Sequence, residues 1–218
     1  MHAEEAVAEN FDVAKQDEAQ RVTWQVLHMV AAQVRPGHRV QDLRALLTGA
    51  LATHQVEKMW HPPQLRLGKS TRLGFGLPAV DDAPLAQDDI FFVDIGPIVA
   101  GYEGDCGETF ALGDNTEMQR CAADAKRVHG EGLALWRRTR CTGEALYTWA
   151  GARARELGWD LALQEADGHR IGDLPHHRFF EGNLAGRSYV PEGDRWIFEV
   201  QLLERNGCFG AFYEDTLR

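Results

Sequence analysis

The stretch DIFFVDIGPIVAGYEGDCGETF, residues 89–110, sets Asp94 inside a run that otherwise has the composition of a buried strand, and Asp105 follows among glycines. Burying an ionised carboxylate without a partner costs several kcal/mol, so Asp94 needs a counter-charge or a proton. A second pair of carboxylates lies near the C-terminus. Asn206-Gly207 is a strong signal for a two-residue type I′ turn, and with these residues in the turn Glu199 faces Glu214 on one side of the sheet. A four-residue loop at 98–101 in the earlier stretch places Asp94 opposite Asp105 in the same way. Like charges directly opposed destabilise a sheet. Alone, each of these residues reads as an ordinary solvated strand position or ion pair. Four carboxylates on one half-buried face require protons or cations among them. Two divalent ions balance four carboxylates in formal charge, and hard oxygen ligands with one imidazole suit Mn²⁺, Co²⁺, Fe²⁺ or Zn²⁺. The imidazole expected is His169, which DGHRIG puts at the start of a strand just past an Asp-Gly turn.

The elements that position these groups follow from periodicity. Residues 3–34 read as a helix, with Val26, Leu27, Val30, Ala31 and Val34 at helical spacing and Pro36-Gly37 as its stop. A second helix carries Val40, Leu43, Leu47, Ala50 and Leu51, after which KMWHPPQLRLG is extended because its prolines exclude a helix interior. Strands dominate from Asp89 to Leu112. A third helix starts at Asp114, whose spacing to Glu117 suits a capping box, and a fourth follows Thr142 and ends at Gly158. Residues 160–218 are strand and turn. The order, helices then strands twice over, describes an α+β domain of two similar halves, about 1–113 and 114–218, spanning 1–218 as one unit.

The formal charge of −10 disfavours nucleic acid and anionic membrane surfaces as partners and leaves small molecules, peptides and cations. The first residues, MHAEEAVAEN, lack the apolar region of a signal peptide, no stretch has the length of a membrane span, and the expected location is cytoplasmic. Cys106, Cys121, Cys141 and Cys208 show no Cys-x-x-Cys spacing and are expected to be reduced thiols.

In the residues named so far, the chain resembles the dinuclear-metal pita-bread peptidases of family M24, which include methionine aminopeptidase, aminopeptidase P and prolidase. The matching motifs are Val93-Asp94-Ile95-Gly96 with Asp105 eleven residues on, Gly168-His169-Arg170-Ile171-Gly172, Glu199 on a strand, and Glu214-Asp215 near the end. The resemblance implies the pita-bread fold and two bound divalent metals, manganese among the candidates. It implies Asp105 and Glu214 as bridging ligands, Asp94 on one metal, and His169 with Glu199 on the other. It also implies a catalytic histidine seven residues after the ligand histidine, which is His176 here, with His177 beside it. Glu199 or Glu214 is expected to accept the proton of the attacking water. The histidine usually found before the first aspartate is replaced by Phe75-Gly76-Leu77, and His61 in MWHPP is the candidate to substitute for it, a surface or structural aromatic cluster with Trp60 being the alternative. Cys106-Gly107-Glu108-Thr109-Phe110 and Phe212 also depart from the prolidase pattern, and the extra N-terminal domain of prolidases is expected to be absent. The expected activity is hydrolysis of short peptides, of Xaa-Pro dipeptidase or aminopeptidase type, and a homodimer remains open. A non-catalytic peptide- or partner-binding protein and a creatinase-like C–N hydrolase are the alternatives on the same scaffold.

Overall fold

The computed structural model describes residues 2–56, 58–163, 166–178 and 180–218. Two helices open the fold, α1 (Val13–Ala31) and α2 (Val40–Thr53). They are followed by β1 (Gln64–Leu67), β2 (Asp89–Ile95), β3 (Ile98–Val99), β4 (Tyr102–Glu103) and β5 (Cys106–Leu112). Then come α3 (Thr116–Thr139), α4 (Gly143–Glu156), β6 (Asp160–Leu161), β7 (Ile197–Leu203) and β8 (Gly210–Thr216). Six strands form one antiparallel sheet in the order β1-β2-β5-β8-β7-β6, and β3 with β4 forms a separate small hairpin. The fold is the expected pita-bread α+β arrangement. No helix among the described residues is long and apolar enough to cross a membrane, and all four cysteines are free thiols.

One face of the sheet is covered by helices. Phe91, Val93, Ile95 and Cys106 pack against Val26, Leu27, Val30, Leu43 and Leu47 of α1 and α2. Phe198, Val200, Leu202 and Ala211 pack against Ala125, Val128, Leu146 and Ala150 of α3 and α4. Each large side chain buried in this way contributes about 1.5–3 kcal/mol, against about 1 kcal/mol for a helix cap. Sheet packing therefore holds the helices more than their caps do. Strand alternation then sends Phe92, Asp94, Thr109, Glu199, Gln201, Phe212 and Glu214 to the opposite face.

Four local expectations are corrected. The first helix starts at Val13, not residue 3, because residues before Asp12 are held as a strap: Arg170 donates to the carbonyls of Glu4 and Ala6 at 2.9 Å each, and buried Glu5 accepts from Trp196 Nε1 at 2.9 Å. The third helix is capped by Asn115, whose side chain accepts from Glu117 N and Met118 N at 3.1 Å each, while the Asp114 amide donates to Asp88 instead. In the first hairpin the tight turn is Ala100-Gly101, both at positive φ (51° and 83°), so Asp94 faces Gly107, and Asp105 lies beyond the strand end. In the C-terminal hairpin Glu199 does face Glu214, yet only Gly207 of the Asn206-Gly207 pair has positive φ. The loop there is wider than a type I′ turn and is closed by Glu204, whose carboxylate accepts from the amides of Asn206 and Cys208.

Candidate metal centre

One row of residues crosses the sheet: Gln64, Asp94, Gly107, Glu214 and Glu199 stand side by side on β1, β2, β5, β8 and β7. Gly107 sits between two carboxylates because nothing larger fits. A Cβ there would lie 2.5 Å from the Phe212 ring and 3.1 Å from Glu214 Oε1. Asp105, just before β5, is pinned from α1 by Gln20, whose side chain accepts from the Asp105 amide at 2.9 Å and donates to the Asp105 carbonyl. The same Gln20 Nε2 donates to Asp215 Oδ1 at 2.7 Å, tying the two carboxylate-bearing hairpins together. His169 lies outside any long strand. Backbone bonds of its neighbours to the chain before β7 hold it in place, with Ile197 N donating to the His169 carbonyl at 2.8 Å. Gly168, at φ +73°, gives its amide to Glu199 Oε2 at 2.7 Å and so orients that carboxylate.

The structure brings all seven site residues expected from the sequence, Asp94, Asp105, His169, Glu199, Glu214, His176 and His61, to one cavity of about 270 Å³. Both inner histidines address Asp105. His169 Nε2 is 2.8 Å from Oδ2, and His61 Nε2 is 3.4 Å from Oδ1. Each ring donates through Nδ1 to a main-chain carbonyl, His169 to Arg170 at 2.7 Å and His61 to Pro62 at 3.0 Å. That bond fixes the tautomer and leaves Nε2 as the atom offered to the cavity.

The charges are in conflict when no cation is present. Burial, and then the neighbouring Asp105 and Glu199 charges, push the Asp94 carboxyl up to about 7. Burial and the charges of Asp105, Asp94 and Glu199 hold Glu214 well above the usual carboxylate range, and burial with the charges of Asp105 and Asp167 raises Glu199 against the pull of His169. Burial also opposes ionisation of Asp105, but the hydrogen bond from His169 and the contact with His61 outweigh it and keep this group low. Burial lowers both imidazoles, and the surrounding carboxylates more than reverse it, to about 9 for His61 and about 10 for His169.

Two observations fit this site to metal ions. Asp94 Oδ1 and Glu214 Oε1 are buried with no hydrogen-bond partner among the described residues, a costly arrangement that a cation relieves. Two sets of donor atoms, from His61, Asp94 and Asp105 and from Asp105, His169 and Glu214, each lie within 4.8 Å of one another. Asp105 belongs to both sets, and Glu199 Oε1 stands 3.9 Å from His169 Nε2 at the edge of the second. Carboxylates with imidazole are a donor set suited to divalent first-row metals.

His176 stands at the cavity rim on a short 3-10 turn, His176–Arg178, while the His177 side chain lies outside the described residues. Glu103, which sequence reasoning missed, accepts from His176 Nδ1 at 2.6 Å through one oxygen and from the His176 amide at 3.1 Å through the other. Trp60, beside His61 in the chain, also lines the cavity. Its indole donates to the Gly104 carbonyl at 3.0 Å and packs within 5.3 Å of the rings of His61, His169 and His176. Its position next to His61 was the available signal, whereas Glu103 and Gln20 carry no local signature at all. Gly96 has a similar purpose to Gly107: a Cβ there would collide with the His61 ring and the Trp60 indole. Phe75, Phe92 and Phe212 supply the apolar remainder of the wall.

Comparison with known proteins agrees with this geometry. A methionine aminopeptidase of Chlamydia pneumoniae is 28% identical over 134 residues, covering 58% of this chain and 42% of that protein. The X-Pro aminopeptidase of Thermotoga maritima superposes with a TM-score of 0.75 at 18% identity over 94% of this chain and 57% of the other. The prolidase of Pyrococcus horikoshii does so with 0.75 at 15% identity, over 96% and 59%. The chain thus spans less than two thirds of these three relatives. The methionine aminopeptidase of Thermotoga maritima superposes with 0.76 at 14% identity over 97% of this chain and 94% of its own. The model of metallopeptidase family M24 matches residues 14–218, a span that takes in both hairpins, His61, His169 and His176, and this chain belongs to that family.

Proposed function

We propose that residues 1–218 act as one two-halved domain, a dinuclear-metal exopeptidase cleaving short peptides with an Xaa-Pro bond. The observation that carries this reading is the convergence of four carboxylates and His169 in one cavity walled by aromatic rings. Asp94, Asp105, His169, Glu199 and Glu214 would hold two divalent ions, with Asp105 and Glu214 shared. When bound, such ions polarise the scissile carbonyl and lower the pKa of water toward neutrality. The chain's own groups do the rest. Glu199, oriented by the Gly168 amide on Oε2, is the carboxylate placed to take a proton from the attacking water. His176, held by Glu103 through Nδ1, offers Nε2 to the scissile amide or to the charge developing on it. Trp60, Phe75, Phe92 and Phe212 form flat apolar surfaces suited to a prolyl ring, and a cavity of about 270 Å³ suits a substrate of two or three residues.

The test is turnover by the Mn²⁺- or Co²⁺-loaded chain of a panel of Xaa-Pro dipeptides, Xaa-Pro tripeptides and Met-peptides. Preference for Xaa-Pro bonds is the expected result. Preference for Met-peptides would move the substrate assignment toward the methionine aminopeptidase relatives, and no turnover of any peptide with two metals bound would overturn the exopeptidase reading.

A further inference from the structure

Resting on the dinuclear reading above, we infer that His61 is a sixth metal ligand, giving each of the two ions one imidazole, and not a group that contacts substrate. The distances favour ligation over hydrogen bonding. His61 Nε2 lies 3.4 Å from Asp105 Oδ1 and 3.7 Å from Asp94 Oδ1. A charge-assisted hydrogen bond between imidazolium and carboxylate spans about 2.7–2.9 Å. Two donor atoms each about 2.1 Å from one ion stand about 3.4 Å apart at the tetrahedral angle and about 3.6 Å apart at 120°. The observed separations match ligands around a common centre.

Three independent features point the same way. Asp94 Oδ1, the oxygen nearest His61, belongs to a residue that is 7% exposed, and this atom has no hydrogen-bond partner among the described residues. The His61 ring repeats the arrangement of His169 from the other side of Asp105, each with Nδ1 on a main-chain carbonyl and Nε2 toward a different oxygen of that carboxylate. The ring is also immobilised. Pro62 and Pro63 stiffen the chain behind it, the Trp60 indole packs edge-on at 4.3 Å, and the Trp60 amide donates to the Gly96 carbonyl at 2.8 Å. An imidazole directed into the carboxylate cluster and unable to swing toward the mouth is placed to bind an ion. The consequence is a site with two nitrogens among its donors, which favours Co²⁺, Fe²⁺ or Zn²⁺ over Mn²⁺ more than a single imidazole would.

The experiment uses the full chain, with Co²⁺ as the probe, in wild type and His61→Ala. Metal content, a Co²⁺ binding titration and the visible Co²⁺ spectrum are measured, with far-UV circular dichroism of the metal-free variant as the folding control. Wild type should bind two ions. The variant should bind one of them at least about tenfold more weakly, with a changed Co²⁺ absorption band. A variant with both affinities and the spectrum unchanged but slower turnover would overturn the inference and make His61 a substrate contact. If wild type binds fewer than two ions, the dinuclear reading itself fails, a result distinct from the former. Should the variant not fold, the histidine ¹⁵N spectrum of wild type with and without Zn²⁺ decides. Two ring Nε2 signals shifting to metal-bound positions support six ligands, and one alone refutes them.

Discussion

Glu103 lies 73 positions from His176 in the chain, yet its two oxygens accept from two of that residue's nitrogens, the ring Nδ1 and the main-chain amide. Such a carboxylate orients the imidazole and stabilises positive charge on it, so its effect should pass through His176 and not through the metals. His176→Ala should retain two metals and lose kcat by about 10²–10⁴-fold, the usual share of a positioned acid–base or electrostatic group. Glu103→Gln should also retain its metal and lose part of the same factor, and the double variant should be little worse than His176→Ala alone. Metal loss in either single variant, measured by elemental analysis, would put His176 in the wrong role. A different histidine controls acid stability. His129 on α3 is packed between Phe198 and Tyr213, and burial pulls it down to about 4 from an ordinary 6.5. Between those values the unfolded chain binds the proton and the folded chain does not, so this group's contribution is whole above pH 6.5 and is lost as pH falls toward 4. Because the raised carboxylates gain stability over the same range, the test is the difference between proteins: in urea unfolding of the metal-free chain, His129→Leu should become more stable relative to wild type by about 2 kcal/mol between pH 7 and pH 5. An identical pH response in the two proteins would mean that His129 adds nothing to acid sensitivity.

At the scale of elements, the sequence was most legible where strand alternation did the work. Glu199 and Glu214 were predicted to face each other and do, because hydrophobic alternation on β7 and β8 admits one register whichever turn joins them. Asp94 and Asp105 were brought to one face correctly, but their direct opposition was wrong. The turn is made by Ala100 and Gly101, and alanine at positive φ gives no warning in a sequence. The strap before α1 has the composition of a helix, since alanine and glutamate are good helix formers, and tertiary bonds from Arg170 override that preference. Glu103 and Gln20 escape sequence reasoning for a related reason: their partners are supplied by packing between distant segments, which leaves no spacing to find. The true register carries its own prediction. Gly107 is the gap in the row between Asp94 and Glu214, and Gly107→Ala must displace the Phe212 ring and crowd Glu214. Metal affinity should fall by about 10-fold or more with the secondary structure retained, since a ligand moved by a fraction of an ångström no longer meets its ion. Unchanged affinity in a Co²⁺ titration would show that the row tolerates a methyl group and that Gly107 is not required for ligand placement.

For the whole molecule, the sheet is stabilised on its helix-covered face and strained electrostatically on the other. The cluster of Asp94, Asp105, Glu199 and Glu214 adds repulsion to a chain already at net −10, and Asp94, Glu199 and Glu214 respond by moving toward the protonated state while the two histidines keep Asp105 low. The carboxylates and imidazoles of the cavity come from the segment between α2 and β1, from β2, from the turn before β5, from β7 and β8 and from the segment at His169, so metal bound there should be coupled to folding. An ion that binds only the folded state at a concentration 100 times its Kd adds about 2.7 kcal/mol, and two such ions about 5 kcal/mol. For a domain of this size each kcal/mol corresponds to about 2–4 °C, so loading with Mn²⁺ or Co²⁺ should raise Tm by about 10–20 °C over the chelator-treated chain. The gap should narrow as pH falls. Protons compete for Asp94, raised to about 7, and for the imidazoles of His61 and His169, raised to about 9 and about 10, and a protonated ligand must release its proton before it can bind. Scanning calorimetry with and without chelator at pH 8 and pH 6 measures both effects. A Tm that does not respond to metal at pH 8 would mean that the carboxylate cluster is stable on shared protons alone, and a gap that widens toward pH 6 would mean that the ions bind elsewhere on the surface.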